Sequence, residues 1–292
     1  MGTSEHRRQD NGEDDMAGVW SYEGKRVLVS GGGGSGMGAA AVRDLLELGA
    51  EVHVFDVKEP SSEVASYRSV DLRDPGAIES NLAELGGRID ALFNCAGLPG
   101  PPFSGLDVML VNFVAARHLT TLAAPHMPEG SAVVTISSAG AFGWENVMDQ
   151  VAPLVATAGY AEGRQWCEDN PQAVGEGYLL SKQAIIIWTL HAALDLAPKG
   201  IRVNCTSPGP TQTPMMPSFE AYMGKDFMDR FPKPLGGRNS TPEEQGHLVV
   251  FLNSDAAGYI TGTNVYADGG FSAGMLTSRL DFSVLSGETP AG

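Results

Sequence analysis

Between residues 26 and 38 a short apolar run, Arg26-Val27-Leu28-Val29, gives way to Ser30-Gly31-Gly32-Gly33-Gly34-Ser35-Gly36-Met37-Gly38 and then to an amphipathic stretch. The β-branched run reads as a strand, and apolar residues at helical spacing over 37–48 read as a helix. Six of the eight residues from Gly31 to Gly38 are glycine, so the backbone there is free to approach a ligand closely. The first N–H groups of a helix have no partner within it, and a glycine turn that delivers the chain to them makes a seat for a pyrophosphate. A merely flexible turn is the bland reading. It does not account for the position of the turn between a strand and a helix. The chain holds 37 glycines in 292 residues, well above ordinary usage of roughly 7 %.

The strand–helix alternation continues along the chain. Strands are predicted over 26–29, 51–55, 89–93, 132–136, 201–205 and 264–266, and helices over 37–48, 74–85, 105–123, 177–196 and 242–252. Apolar strands separated by helices imply a parallel sheet covered on both faces. The fold class is therefore α/β, a Rossmann-like doubly wound parallel sheet. No internal repeat or linker divides residues 19–274, which are read as a single domain. Residues 1–18 carry almost no apolar side chains and are expected to be disordered. The tail from 275 to 292 offers Met275, Leu276, Leu280, Phe282, Val284 and Leu285, which either pack on a partner subunit or trail loosely. Two stretches break the alternation: 144–173, and 211–238, which is rich in Met, Phe and Pro. Long excursions of this kind are usually functional.

Charge and composition exclude several classes. With 19 Lys+Arg against 35 Asp+Glu the formal charge is −16, which repels phosphate backbones and argues against a nucleic-acid partner. No apolar run approaches the roughly 20 residues of a membrane span. The polar, acid-rich start lacks the apolar core of an export signal, so a cytoplasmic protein is expected. Cys95, Cys167 and Cys205 are odd in number and lack C-x-x-C spacing, as reduced thiols would. The six histidines show no metal-ligand spacing, and no metal is expected.

Two further features carry chemistry. The second strand ends in Asp56, where a carboxylate can accept from a ribose 2′-OH and would repel a 2′-phosphate, so NAD(H) is favoured over NADP(H). Arg43 and Lys58 stand nearby on the opposing side of that argument. Tyr178-Leu179-Leu180-Ser181-Lys182 puts a tyrosine and a lysine at i and i+4 on one helix face. A phenol ionises near pH ~10 and makes a poor base at neutral pH unless adjacent cations favour the phenolate. Lys182 and an oxidised nicotinamide would be two such cations.

Taken together, Gly32-x-x-x-Gly36-x-Gly38 and Tyr178-x-x-x-Lys182 resemble the short-chain dehydrogenase/reductase family. The resemblance implies that Gly32, Ser35, Gly36, Met37 and Gly38 meet the cofactor and that Asp71-Leu72 caps its adenine. It implies that Asn94, Ala96 and Gly97 lie beneath the cofactor, with Cys95 replacing the second Asn of the family's N-N-A-G. It assigns the nicotinamide end to Pro208, Gly209 and a threonine hydroxyl, Thr213 or Thr211. Ser138 matches the serine that bonds the substrate oxygen, Tyr178 the acid/base, Lys182 the ribose-binding lysine, and Asn112 the asparagine of a water relay.

The chain departs from the family pattern by setting Ser138 and Tyr178 forty positions apart, where about a dozen are usual in the family. A helical insertion over 144–173 is the reading, serving as pocket wall, subunit contact or surface elaboration. The bacterial hydroxysteroid dehydrogenase/carbonyl reductase branch resembles this layout. The resemblance implies a mobile lid over 211–238, whose Met and Phe suit a bulky apolar substrate such as a hydroxysteroid or terpenoid. The expected function is NAD-dependent interconversion of a secondary alcohol and a ketone by a homodimer or homotetramer. The alternatives are a non-catalytic dinucleotide sensor, and epimerase or dehydratase chemistry through a keto intermediate.

Overall fold

Apolar side chains alternate between the two faces of each central strand, and both faces are buried. In the computed structural model, which describes residues 18–280, the strands are β1 (Arg26–Ser30), β2 (Glu51–Asp56), β3 (Ser66–Ser69), β4 (Ala91–Asn94), β5 (Ala132–Ile136), β6 (Arg202–Pro208) and β7 (Asn264–Ala267). They form one parallel sheet in the order β3-β2-β1-β4-β5-β6-β7. Strands β1 to β3 run outward in one direction and β4 to β7 in the other. The crevice at this reversal, beyond the carboxyl ends of β1 and β4, is where such sheets bind ligands.

The helices in chain order are α1 (Met37–Glu47), α2 (Pro75–Leu85), α3 (Gly105–Met109), α4 (Ala115–Ala123), α5 (Met148–Val155), α6 (Tyr160–Asp169) and α7 (Pro171–Val174). They continue with α8 (Tyr178–Leu196), α9 (Met216–Met223), α10 (Lys225–Arg230), α11 (Pro242–Asn253) and α12 (Phe271–Leu276). Val27, Val29, Val52, Val54 and Phe93 face one layer with Val42 and Leu45 of α1 and Val249 and Leu252 of α11. Leu28, Leu92, Val133 and Val203 face the other with Leu119 of α4, Leu154 of α5 and Ile185 of α8. The helix ends follow local chemistry. Asp74 caps α2 by accepting from Ala77 N, and Thr241 with Glu244 forms a capping box on α11.

Three expectations need amending. Strand β3 was not expected, because Ser66-Tyr67-Arg68-Ser69 is short and polar, and its place on the edge comes from pairing with β2. The helix expected over 105–123 contains a π-helical turn at Leu110–Val114 between α3 and α4. The stretch Gly105–His126 is also long and apolar enough to cross a membrane, yet most of it is buried inside the molecule as a core helix. Residues 1–17 of the expected N-terminal segment, and Phe282, Val284 and Leu285 of the tail, lie outside the described residues.

The stretch expected as an insertion is helical: α5, α6 and α7 fill it. It is tied to the core by Arg117 of α4, a buried guanidinium that, among the described residues, hydrogen-bonds carbonyls and no carboxylate. Its Nη1 donates to the carbonyls of Leu154 (3.2 Å) and Val155 (3.3 Å), and Nη2 to that of Gly159 (2.7 Å). The Tyr160 hydroxyl donates to the Leu72 carbonyl at 3.0 Å.

Candidate active site

The exits of β1 and β4 touch. Gly31 has φ 78°, and a Cβ on it would lie 2.3 Å from the Ala96 backbone nitrogen, so only glycine fits there. Gly36 precedes α1 with no side-chain cap, and a Cβ on it would meet nothing within 4 Å. The helix N-terminus thus opens onto free space, a cradle that fits a diphosphate. Ser35 is exposed at the turn, Met37 lines the main cavity, and Gly32 and Gly38 are buried.

Asp56 ends β2 with its carboxylate on the turn. Oδ2 accepts from Gly33 N at 2.8 Å and Oδ1 from Lys58 N at 2.9 Å. Each oxygen keeps lone-pair capacity for a further donor. Arg43 is paired with Glu243 at 2.6 Å. Asp71 is held by Arg73, whose guanidinium keeps its carboxyl below the usual carboxylate range. Leu72 beside it is buried. Asn94 is 2 % exposed and donates to Thr120 Oγ1 (3.0 Å) and Thr135 Oγ1 (3.3 Å), so its amide N–H groups serve the core. A Cβ on Gly97 would lie 3.4 Å from Asn112 Oδ1 and 3.8 Å from Lys182 Nζ, which brings the β4 exit against the catalytic candidates. Cys95 is partly buried, and desolvation pushes its thiol up to about 12, so it is no nucleophile at neutral pH. At the far end Pro208 and Gly209 line the cavity. The Thr211 hydroxyl donates to the Gly209 carbonyl (2.9 Å) and meets Ser240 Oγ (2.8 Å), while the Thr213 hydroxyl accepts a long bond from Met215 N (3.4 Å). Thr213 is the less committed of the two.

Ser138, Tyr178, Lys182 and Asn112 converge from three parts of the fold: the exit of β5, α8 and the π turn. Ser138 follows β5, and its Oγ accepts from Gly140 N at 3.1 Å. Tyr178 opens α8, and Lys182 one turn on places Nζ 5.6 Å from its ring centroid. Lys182 Nζ donates to the Ile136 carbonyl at 2.8 Å. Asn112 sits in the π turn, accepts from Leu98 N (2.7 Å), and donates to Leu98 O (3.1 Å) and Ser181 Oγ (3.1 Å). Burial pushes the Tyr178 phenol up, and a hydrogen bond from Ser138 pulls it partly back. Burial also brings the Lys182 ammonium down to about 8. The expected lowering of the phenol is thus not achieved by the protein's own groups; it needs a further cation.

Ser138 and Tyr178 face a cavity of about 670 Å³. One wall comes from Val147, Val151 and Trp166 of the 144–173 stretch, and the opposite wall from Met215, Phe219 and Phe231. The Phe219 ring meets Tyr178 edge-on, centroids 5.1 Å apart. Sequence reasoning missed Glu176 and Tyr222, which also line this cavity. The signal for Glu176 was the Gly-Glu-Gly run directly before Tyr178.

Fold and site together define a dinucleotide-binding α/β oxidoreductase. Residues 25–152 match the family model described as short chain dehydrogenase, and residues 170–272 match the model described as Enoyl-(Acyl carrier protein) reductase. The coniferyl-alcohol dehydrogenase of Pseudomonas sp. is 29 % identical over 250 residues, covering 85 % of this chain and 97 % of its own. The cis-4-hydroxycyclohexanecarboxylate dehydrogenase of Sinomonas cyclohexanicum is 31 % identical over 264 residues, again covering 85 % and 97 %. Among solved structures, the 3-alpha-hydroxysteroid dehydrogenase from Pseudomonas sp. B-0831 complexed with NADH superposes with a TM-score of 0.73 at 26 % identity, covering 88 % of this chain and all of that one. BdcA in complex with NADPH gives 0.64 at 26 % identity, covering 86 % and 95 %. The chain belongs to the short-chain dehydrogenase/reductase family.

Proposed function

We propose that the protein interconverts a secondary alcohol and a ketone on a bulky apolar substrate such as a hydroxysteroid or terpenoid, with NAD(H) preferred. The observation that carries this reading is the opening of the Ser138–Tyr178–Lys182 group into one large cavity walled by Met, Phe, Val and Trp side chains. A nicotinamide dinucleotide seated on Ser35, Gly36, Met37 and Gly38, between Asp56 and Thr213, would supply the two-electron acceptor or donor. Support for NAD(H) is the Asp56 carboxylate beside the turn, with Arg43 already neutralised by Glu243.

In alcohol oxidation Tyr178 as phenolate takes the hydroxyl proton, and the Ser138 hydroxyl donates to the oxygen that becomes a carbonyl. Lys182 and a bound nicotinium together favour the phenolate that burial alone opposes. The proton then passes along the Lys182 and Asn112 side to solvent. Reduction runs the same transfers in reverse. Oxidation should therefore rise with pH as Tyr178 deprotonates, and reduction should fall over the same range.

The test is NADH absorbance with sterols, cyclic terpenols and short alcohols, run with both cofactors. Turnover of bulky apolar alcohols with NAD is expected. Tyr178→Phe should fold and bind NADH yet lose roughly 10²–10⁴-fold in rate; near-normal rates in that variant would remove Tyr178 as proton carrier. The same reading assigns a homodimer or homotetramer, which light scattering would distinguish from a monomer.

A further inference from the structure

The turn leading into α8 fixes a carboxylate at the cavity mouth. Gly175 and Gly177 have φ of 51° and 79°, a conformation that side-chain-bearing residues avoid. A Cβ on Gly177 would lie 2.3 Å from the Gly105 carbonyl oxygen, and one on Gly105 would lie 2.1 Å from that of Gly175. The turn is thereby wedged against the start of α3, with Glu176 between its two glycines. Glu176, an exposed residue, lines the same cavity as Ser138 and Tyr178, and Tyr222 of α9 lines it too. Phe219, one helical turn before Tyr222, rests on Tyr178, so one face of α9 spans the reacting group and the carboxylate.

Glu176 is the only charged residue among the described residues lining this cavity. Cations nearby have other partners. Lys182 Nζ donates to the Ile136 carbonyl (2.8 Å), Lys225 pairs with Asp229 (2.9 Å), Arg230 Nε donates to the Asp226 carbonyl (3.1 Å), and Lys233 Nζ to that of Met228 (2.8 Å). An anion entering here meets a like charge and no counter-charge in the wall. A neutral ligand with an O–H or N–H finds an acceptor.

We infer that Glu176 is a specificity-determining residue that admits neutral alcohols and ketones, best those with a hydrogen-bond donor away from the reacting carbon, and refuses those bearing a carboxylate or phosphate. The inference rests on the dehydrogenase reading above. It separates this chain from the relative named for a hydroxycyclohexanecarboxylate.

The experiment uses isosteric pairs that differ in charge: the carboxamide and carboxylate of 4-hydroxycyclohexane, and the same pair on the side chain of a 3-hydroxysteroid. With the full chain and NAD, kcat/KM for the amide should exceed that for the acid by about tenfold or more. Glu176→Gln should shrink the ratio severalfold and Glu176→Lys should reverse it. Quenching of tryptophan fluorescence, with Trp166 in the cavity wall, reads ligand binding without turnover. Equal use of amide and acid by the wild type, or a ratio unmoved by both substitutions, overturns the inference and leaves the dehydrogenase reading standing. If no alcohol is oxidised, that reading falls instead. The fluorescence titration then decides the inference alone: tighter binding of the amide upholds it, and equal affinities overturn it.

Discussion

Lys182 is 5 % exposed with a backbone carbonyl as its hydrogen-bond acceptor, and its ammonium is brought from 10.5 down to about 8. Because the folded value lies below the unfolded one, the unfolded chain holds the proton more tightly, and the group costs stability at neutral pH. The cost, roughly 3 kcal/mol, is complete below pH ~8 and fades as pH rises toward ~10.5. Lys182→Met should therefore unfold at higher urea than the wild type at pH 7, with the advantage gone near pH ~10, while losing turnover. Equal midpoints at pH 7 would mean the lysine is better solvated than its burial implies. Ser138 and Asn112 were picked by resemblance to the family's motifs, whereas Tyr178 and Lys182 could be picked from the sequence as an i, i+4 pair on one helix face. Partner choice could not. Asn94 and Thr211 look like ligand-binding polar residues in the sequence, and only tertiary packing reveals Thr120, Thr135 and Ser240 as the groups they bond. Glu176 was hidden for a similar reason, since its neighbour Tyr222 arrives from a separate helix.

Among elements, the central strands were readable because burial on both faces makes each a continuous apolar run. Strand β3 was not, because an edge strand with partly exposed side chains carries no such run. The π turn at Leu110–Val114 leaves no mark in residue types either; it is known by its hydrogen-bond pattern. The helical spacing in 144–173 was visible, but what those helices touch was not. Arg117 answers that, reaching from α4 to three carbonyls around the α5–α6 turn. Arg117→Met keeps much of the stem volume and orphans those carbonyls. It should cost about 1–3 kcal/mol in urea unfolding and raise KM for bulky substrates more than it lowers kcat. Loss in kcat alone, with KM unmoved, would show that these helices do not shape the substrate wall.

The whole molecule carries a formal charge of −16, and the incoming dinucleotide is itself anionic. Long-range repulsion between them is screened by salt, with a Debye length falling from roughly 30 Å at 0.01 M to about 8 Å at 0.15 M. Cofactor association measured by stopped-flow fluorescence should accordingly quicken as salt is added. A rate that falls with salt would point to a local positive field at the turn outweighing the net charge. The sheet holds every strand, while the two walls of the substrate cavity are made by helices that add nothing to its ladder. The walls meet the reacting group where Phe219 packs edge-on against Tyr178. Whole wall segments could be exchanged between relatives as cassettes, altering which alcohol is accepted while the parallel scaffold beneath keeps its shape.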